Sequence, residues 1–282
     1  MRSVHPFTTE QAWLELRASN LNSTEIAVLF GKSPYLSLPE LWDMKRNRQV
    51  QVLDENDRMF WGKQLQDAIA HGAATKNGWT IRAATEYIED TDLRIGASFD
   101  YETEDAIVEI KNVDYLQFVK EWVNDDAGLQ APVHIELQLQ HQMMLKGKPL
   151  GRIVALVGGN TLHVIERSAD AEVQGAMAYK AAEFWRTIDA DQAPELDFVR
   201  DADFILAKYR EVIPRKMIDV RLDPQAMAAA LAYKTLGEQI KALTEQRKGS
   251  QANLAFIMQD AQIAQGEGFK ITRDSRGAIK IS

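Results

Sequence analysis

The sequence predicts a mixed α/β (α+β) fold, and three features predict it. Segments with apolar residues at three- and four-residue spacing read as helices. Short apolar runs bounded by Gly, Asn, Asp and Ser read as strands. The two kinds of segment interleave along the chain, so sheet and helices must share one core. At 282 residues the chain suits one large domain or a domain with an appendage. Pro214 marks the expected boundary, giving a unit over 1–213 and an extension over 214–282.

The elements follow in order. Residues 8–17 (TTEQAWLELR) form a short helix with Trp13 and Leu16 on one face and Arg17 at its end. Asn22 with Glu25 three places later approaches a capping box, so a second helix is expected from there to Gly31. Its start offers Ser23, Thr24 and free backbone N–H groups beside Arg17, an arrangement suited to an anion such as a phosphate. Helices follow over 39–48 and 59–77, the second with Trp61, Leu65, Ala68 and Ile69 on one face. Residues 79–88, 93–99 and 106–111 read as three strands of one antiparallel meander, and a turn is expected at Asp125–Gly128. Pro132 opens a helix ended by Gly147, with Gln138, Gln140, His141 and Gln142 among its packing residues. Residues 151–157 and 161–166 form a hairpin turning at Gly158–Gly159–Asn160. An alanine-rich helix runs over 170–187, and helical pattern resumes over about 195–211. Beyond Pro214, a helix over 224–247 has coiled-coil character through Leu231, Leu236, Ile240 and Leu243. A break at Lys248–Gly249–Ser250 separates it from a second helix over 251–264, and a hairpin around Ser275–Arg276–Gly277 closes the chain.

Composition excludes several function classes. The net charge of −8 rules out coating of nucleic acid by bulk charge, though a local basic groove remains open. There are no cysteines, so disulfides and thiolate metal sites are excluded, which fits a reducing cytosol. No run approaches the roughly eighteen apolar residues of a membrane span. The start, MRSVHPFTTE, lacks the apolar core of a signal peptide.

The chemistry concentrates in GASFDYETEDAIVEIKN, residues 96–112. Glu109 and Lys111 stand two apart on a strand and so share a face. If Asp100, at the end of the preceding strand, faces the same way, two carboxylates and an ammonium converge. Two carboxylates can hold a hard cation such as Mg²⁺, and a lysine beside it can act on an attacking water. That is the donor set phosphodiester hydrolysis requires.

GASFD…VEIKN resembles the signature of the PD-(D/E)xK nuclease superfamily. The blocks Trp13–Arg17, Ser23–Glu25, Trp61–Gln64, Asp90…Arg94…Ser98–Asp100 and Gln138–Met143 resemble phage lambda exonuclease and its YqaJ-type viral recombinase relatives, in the family order. The resemblance covers about residues 13–166 and implies a PD-(D/E)xK core: a central mixed β-sheet flanked by helices, here with a C-terminal helical pair and hairpin. It implies an alkaline-type 5′→3′ exonuclease that digests one strand of linear double-stranded DNA. The 3′ overhang left would serve single-strand annealing recombination. By the same resemblance Asp100, Glu109 and the Ile110 carbonyl hold Mg²⁺ (Mn²⁺ in its place), with no ATP. Lys111 activates the water, Gln138 positions water or phosphate, and Arg17 and Thr24 bind the 5′-phosphate. Asp90 is a nearby acid. The implied partners are DNA ends, a single-strand annealing protein and two further copies in a homotrimeric ring. The implied setting is the cytoplasm of a bacterial host, with the gene carried by phage or prophage.

One position departs. Where the family has a glutamate in the helix after the Trp–Gly pair, this chain has Gln66, which brings an amide oxygen and no charge. That weakens a second metal site, and Asp67 is turned about 100° away on the helix. The alternatives are a structure-selective endonuclease on the same fold and a DNA-end-binding protein with weak catalysis.

Overall fold

The computed structural model describes residues 1–7, 9–50, 55–124 and 128–282, which divide into two compact units, Met1–Arg210 and Glu211–Ser282. Of the turn expected at Asp125–Gly128, residues 125–127 lie outside the described residues.

The first unit opens with β1 (Arg2–Pro6), α1 (Glu10–Ser19) and β2 (Leu21–Asn22). A 3-10 turn (Ile26–Phe30) and the helices α2 (Leu38–Arg46) and α3 (Asp57–Asn77) follow. Next come β3 (Arg82–Ala83), β4 (Glu86–Asp90), β5 (Ile95–Ser98), β6 (Tyr101–Glu102) and β7 (Ala106–Val113). The chain then runs through α4 (Tyr115–Glu121), the ribbon β8 (Val123–Asn124) and β9 (Gly128–Leu129), and α5 (Val133–Lys146). The unit closes with β10 (Leu150–Val157), β11 (Thr161–Ser168), α6 (Ala171–Asp189) and α7 (Ala202–Lys208).

Two sheets carry this unit, ordered β1-β4-β5-β2 and β11-β10-β7-β6-β3. The second is mixed: β7 pairs with β10 in parallel and with β6 antiparallel. A parallel pair needs a long crossover, and the one between β7 and β10 contains α5. Side chains alternate across β7. Val108 and Ile110 pack with Ile69, Ala70 and Ala73 of α3, while Ile107 joins Leu139 and Met143 of α5 in the larger cluster. Glu109 and Lys111 share the parity of Ile107 and so face α5.

Three expectations for this unit are corrected. The meander over 79–111 is two hairpin fragments in different sheets: β4–β5 belongs to the first sheet and β6–β7 to the second. The chain changes sheet at Phe99–Asp100, where the Asp100 carboxylate, not a strand partner, accepts the Ile110 N–H at 2.8 Å. The helix expected from Asn22 is a five-residue 3-10 turn. Asn22 is held in β2 opposite Gly96, so the turn starts only at Ile26, and Gly31 ends it at φ 64°. On α3 the buried face runs through Ile69, Ala70, Ala73 and Ala74, leaving Trp61 54% exposed and stacked edge-on against Phe60.

The second unit is α8 (Pro224–Met258) followed by the sheet β12 (Ile263–Gly266), β13 (Phe269–Arg273) and β14 (Ile279–Ile281). The expected helical pair is a single 35-residue helix. Gly249 costs such a helix only about 1 kcal/mol, and the Ser250 hydroxyl donates to the Gln246 carbonyl at 3.1 Å without leaving the helix. The closing hairpin is present, with β12 as a third strand. Among the described residues no helix is long and apolar enough to cross a membrane.

Close packing of α5 on β10 rests on Gly151, where an added Cβ would lie 2.7–2.8 Å from the buried Leu139 side chain. Gly151→Ala is therefore expected to lower the unfolding free energy by about 1–3 kcal/mol in urea titrations. An unchanged midpoint would show that the contact is not tight.

Candidate active site

Glu109 is 3% exposed, on the central mixed sheet, and its carboxylate is fully engaged. Oε1 lies 2.6 Å from the Lys111 ammonium and accepts from Gln138 Nε2 at 2.7 Å. Oε2 accepts from Gln142 Nε2 at 2.8 Å. Lys111 also donates to Gln138 Oε1 at 3.2 Å. Gln138 and Gln142 are four apart on α5, so they present to one side and grip the carboxylate from both oxygens. Gln142 further donates to the Ser98 carbonyl at 3.2 Å, tying α5 to the end of β5 next to Asp100.

Asp100 stands where the chain leaves one sheet for the other, its carboxylate accepting the Ile110 N–H, with the Gln66 side chain beside it. Burial, then the negative charge of Glu109, pushes its carboxyl up to about 7, against the opposing pull of Lys111, Ile110 N–H and Gln66. Burial alone would lower the Lys111 ammonium. The charges of Glu109 and Asp100 and the bond to Glu109 outweigh it, so the group is raised and stays charged.

Two adjacent carboxylates with one ammonium form a site short of positive charge, which a divalent cation would supply. The donors fit Mg²⁺, which takes oxygen ligands, binds through one or two carboxylates and keeps several waters. Asp100 and Glu109 would hold it, with the Ile110 carbonyl and the Gln66 amide as neutral oxygens. Among the described residues no three His, Asp or Glu side chains gather at one point. Asp67 does not replace Gln66: its carboxylate accepts the Tyr101 hydroxyl instead.

Arg17 and Thr24 are brought together. The Arg17 guanidinium stacks over the Trp13 ring, 4.7 Å from its centroid, and donates to Thr24 Oγ1 at 3.5 Å. Asp90 is not brought to the cluster. It pairs in register with Ile95, at the far end of β5 from Asp100. Its carboxylate accepts the N–H groups of Asp92 and Leu93 in the turn and lies 3.6 Å from the N-terminal amine.

Two connections were not foreseen in the sequence. Gln142 is the second clamp on Glu109; its i, i+4 relation to Gln138 is the signal that could have found it. Ser23 Oγ bonds His141 Nδ1 at 2.9 Å in the interior, tying the Thr24 loop to the helix that bears both glutamines. Nothing in the spacing of residues 118 apart could announce that bond.

A mixed sheet whose central strand carries a carboxylate–lysine pair, closed by two helical amides and entered by an aspartate at a change of sheet, defines a nuclease-type fold and donor set. Residues 12–149 match the family model of the YqaJ-like viral recombinase domain. The family resemblance drawn from the motifs therefore holds: that span is similar to a YqaJ-like viral recombinase domain. The uncharacterized protein YqaJ of Bacillus subtilis (strain 168) is 26% identical over 258 residues, covering 89% of this chain and 78% of that one. Among solved structures, the alkaline exonuclease LHK-Exo from Laribacter hongkongensis superposes with a TM-score of 0.51 at 15% identity over 70% of this chain and 98% of its own. Its complex with dAMP gives 0.52 at 13% identity over 71% and 98%. At these identities the likeness is one of fold: the chain is built on an alkaline exonuclease fold.

His141 supplies a pH test of the packing. Burial pushes its imidazole down to about 3, so the folded protein keeps it neutral while the unfolded chain protonates near 6.5. Between those values the unfolded state binds the extra proton, so stability falls as pH falls through that window. From pH 7 to pH 5 the wild type should lose about 2 kcal/mol more than His141→Gln in urea titrations. Parallel pH profiles for the two proteins would contradict this.

Proposed function

We propose that the protein is a metal-dependent 5′→3′ exonuclease that digests one strand of linear double-stranded DNA and leaves a 3′ single-stranded overhang. The observation that carries the reading is the Ser23–His141 bond. It ties the loop that carries Thr24 to the helix that carries Gln138 and Gln142, which supports an end-binding position held near the cluster around Glu109.

In this reading Arg17 and Thr24 hold a terminal 5′-phosphate with a guanidinium and a hydroxyl, the geometry suited to phosphate oxygens. Gln138, already bonded to both Glu109 and Lys111, orients the attacking water or the scissile phosphate. Lys111 is charged in the state described, so it acts first as a donor to the water and the developing negative charge, and hands over a proton only as its carboxylate neighbours are engaged. A divalent ion on Asp100 and Glu109 would neutralise charge on the phosphoryl group and lower the pKa of a bound water. Gln66 leaves the site with two carboxylates, which suits one tightly held ion. The likeness to an alkaline exonuclease and the recombinase domain support the same reading. The functional setting follows from it: a single-strand annealing protein takes up the overhang, three copies ring the duplex, and the work is done in the cytoplasm of a phage-bearing bacterial host.

With Mg²⁺, 5′-phosphorylated linear duplex should be reduced to nucleotides and single strand while closed circles survive, and chelation should stop the reaction. Lys111→Ala and Asp100→Asn should each slow digestion on the order of 10²-fold or more. Intact linear duplex with wild-type protein would sink the proposal. Cutting of closed circles would make the protein an endonuclease, and metal-independent end binding without turnover would make it a binding protein. Arg17→Ala should slow 5′-phosphoryl ends more than 5′-hydroxyl ends.

A further inference from the structure

Beneath Arg17 and Thr24 lies a closed set of buried polar groups that none of the chemistry above uses. The Lys45 ammonium of α2, 4% exposed, lies 2.7 Å from Glu25 Oε2 and donates to the Arg17 carbonyl at 2.8 Å. Asn22 Nδ2 donates to the same carbonyl at 2.9 Å. Glu25 Oε2 accepts the Asn22 N–H at 2.9 Å and its side-chain amide at 3.0 Å, and the Glu25 N–H donates to the Asn22 carbonyl at 2.9 Å. The set ends on β4, where the Tyr87 hydroxyl donates to Asn22 Oδ1 at 2.8 Å. Tyr87 and Asn22 are both fully buried. The phenol reaches that position only across Gly96, where an added Cβ would fall 2.0 Å from its oxygen.

A buried lysine–glutamate pair is weak evidence of a need for stability, because well-packed apolar residues of similar volume often do as well. What distinguishes this pair is where its donors point. Two side chains from different elements converge on one carbonyl, that of Arg17, and the carboxylate fixes both amide groups of Asn22, at the other end of the loop. Thr24 stands exposed between the buried Ser23 and Glu25. The backbone on both sides of the loop between Arg17 and Thr24 is thus tied to buried charge, at the Arg17 carbonyl and at the Asn22 N–H. Among the described residues the guanidinium itself makes only the long 3.5 Å bond to Thr24, leaving its other N–H groups for a ligand.

We infer that Lys45, Glu25, Asn22 and Tyr87 are positioning residues for end recognition: they hold Arg17 and Thr24 at the separation a terminal 5′-phosphate requires, and Gly96 is the residue that admits the phenol. The inference rests on the phosphate-binding reading of Arg17 and Thr24 and extends it to four residues that touch no substrate. A phosphate is recognised by several donors at fixed distances, so a shift of about an ångström in the loop weakens recognition of the phosphate without disturbing hydrolysis elsewhere.

The test compares kcat and KM on linear duplex with 5′-phosphoryl and 5′-hydroxyl ends. The variants are Tyr87→Phe, the charge-balanced double variant Glu25→Gln/Lys45→Met, and Arg17→Ala, each with a thermal melt to establish folding. The preference for phosphoryl ends in kcat/KM should fall on the order of tenfold in the double variant, carried by KM, and by a smaller factor in Tyr87→Phe. A folded double variant that keeps the preference Arg17→Ala loses would overturn the inference while leaving the phosphate reading intact. Should the double variant fail to fold, an unchanged preference in Tyr87→Phe overturns it. If Arg17→Ala itself keeps the preference, the phosphate reading falls and the positioning role with it.

Discussion

A carboxylate buried on the central strand of a sheet must be compensated, and the arrangement of the first unit follows from how Glu109 is. Taking such a charge out of water costs several kcal/mol unless it is paired and hydrogen-bonded. Glu109 is answered by an ammonium from its own strand and two amides from α5. The amides can arrive only because β7 and β10 run parallel, which obliges the chain to cross over and places α5 on the Glu109 face. The packing helix and the polar clamp are one element: Leu139 and Met143 fill the core while Gln138 and Gln142 meet the charge.

Asp100 is governed by the same constraint from the other side. It sits where two sheets meet, its carboxylate substituting for a strand partner at Ile110. Its elevated affinity for a proton follows from burial next to Glu109, and Lys111 only partly offsets it. A site of this kind is electrostatically incomplete, and the neutral Gln66 leaves it with two carboxylates, Asp100 and Glu109.

Much of the site was legible because it is local. Glu109 and Lys111 share a face by strand parity; Gln138 stood out among the packing residues of its helix, and the family resemblance gave it a role at the site. Gln66 was recognisable as a substitution, and the structure adds that its side chain lies beside Asp100. What sequence reading mistook was context. Asp90 was expected near Asp100 from the family resemblance, yet an extended strand carries it to the opposite end of β5. The break at Lys248–Gly249–Ser250 was weighed as strong enough to split a helix, when local propensity amounts to about 1 kcal/mol per glycine and the helix is continuous.

By itself the sequence determined the mixed fold, the strand and helix that bear Glu109, Lys111 and Gln138, and the family blocks in their order, because these depend on periodicities of two and 3.6 residues and on motif spacing. Only the tertiary structure decided that β5 and β7 belong to different sheets, that Gln142 completes the clamp, and that Ser23 meets His141. It alone decided that Lys45 and Tyr87 converge beneath Arg17. Each of these joins groups far apart in the chain through a buried hydrogen bond, and such bonds are fixed by which surfaces must leave water together, a property no local stretch of residues contains.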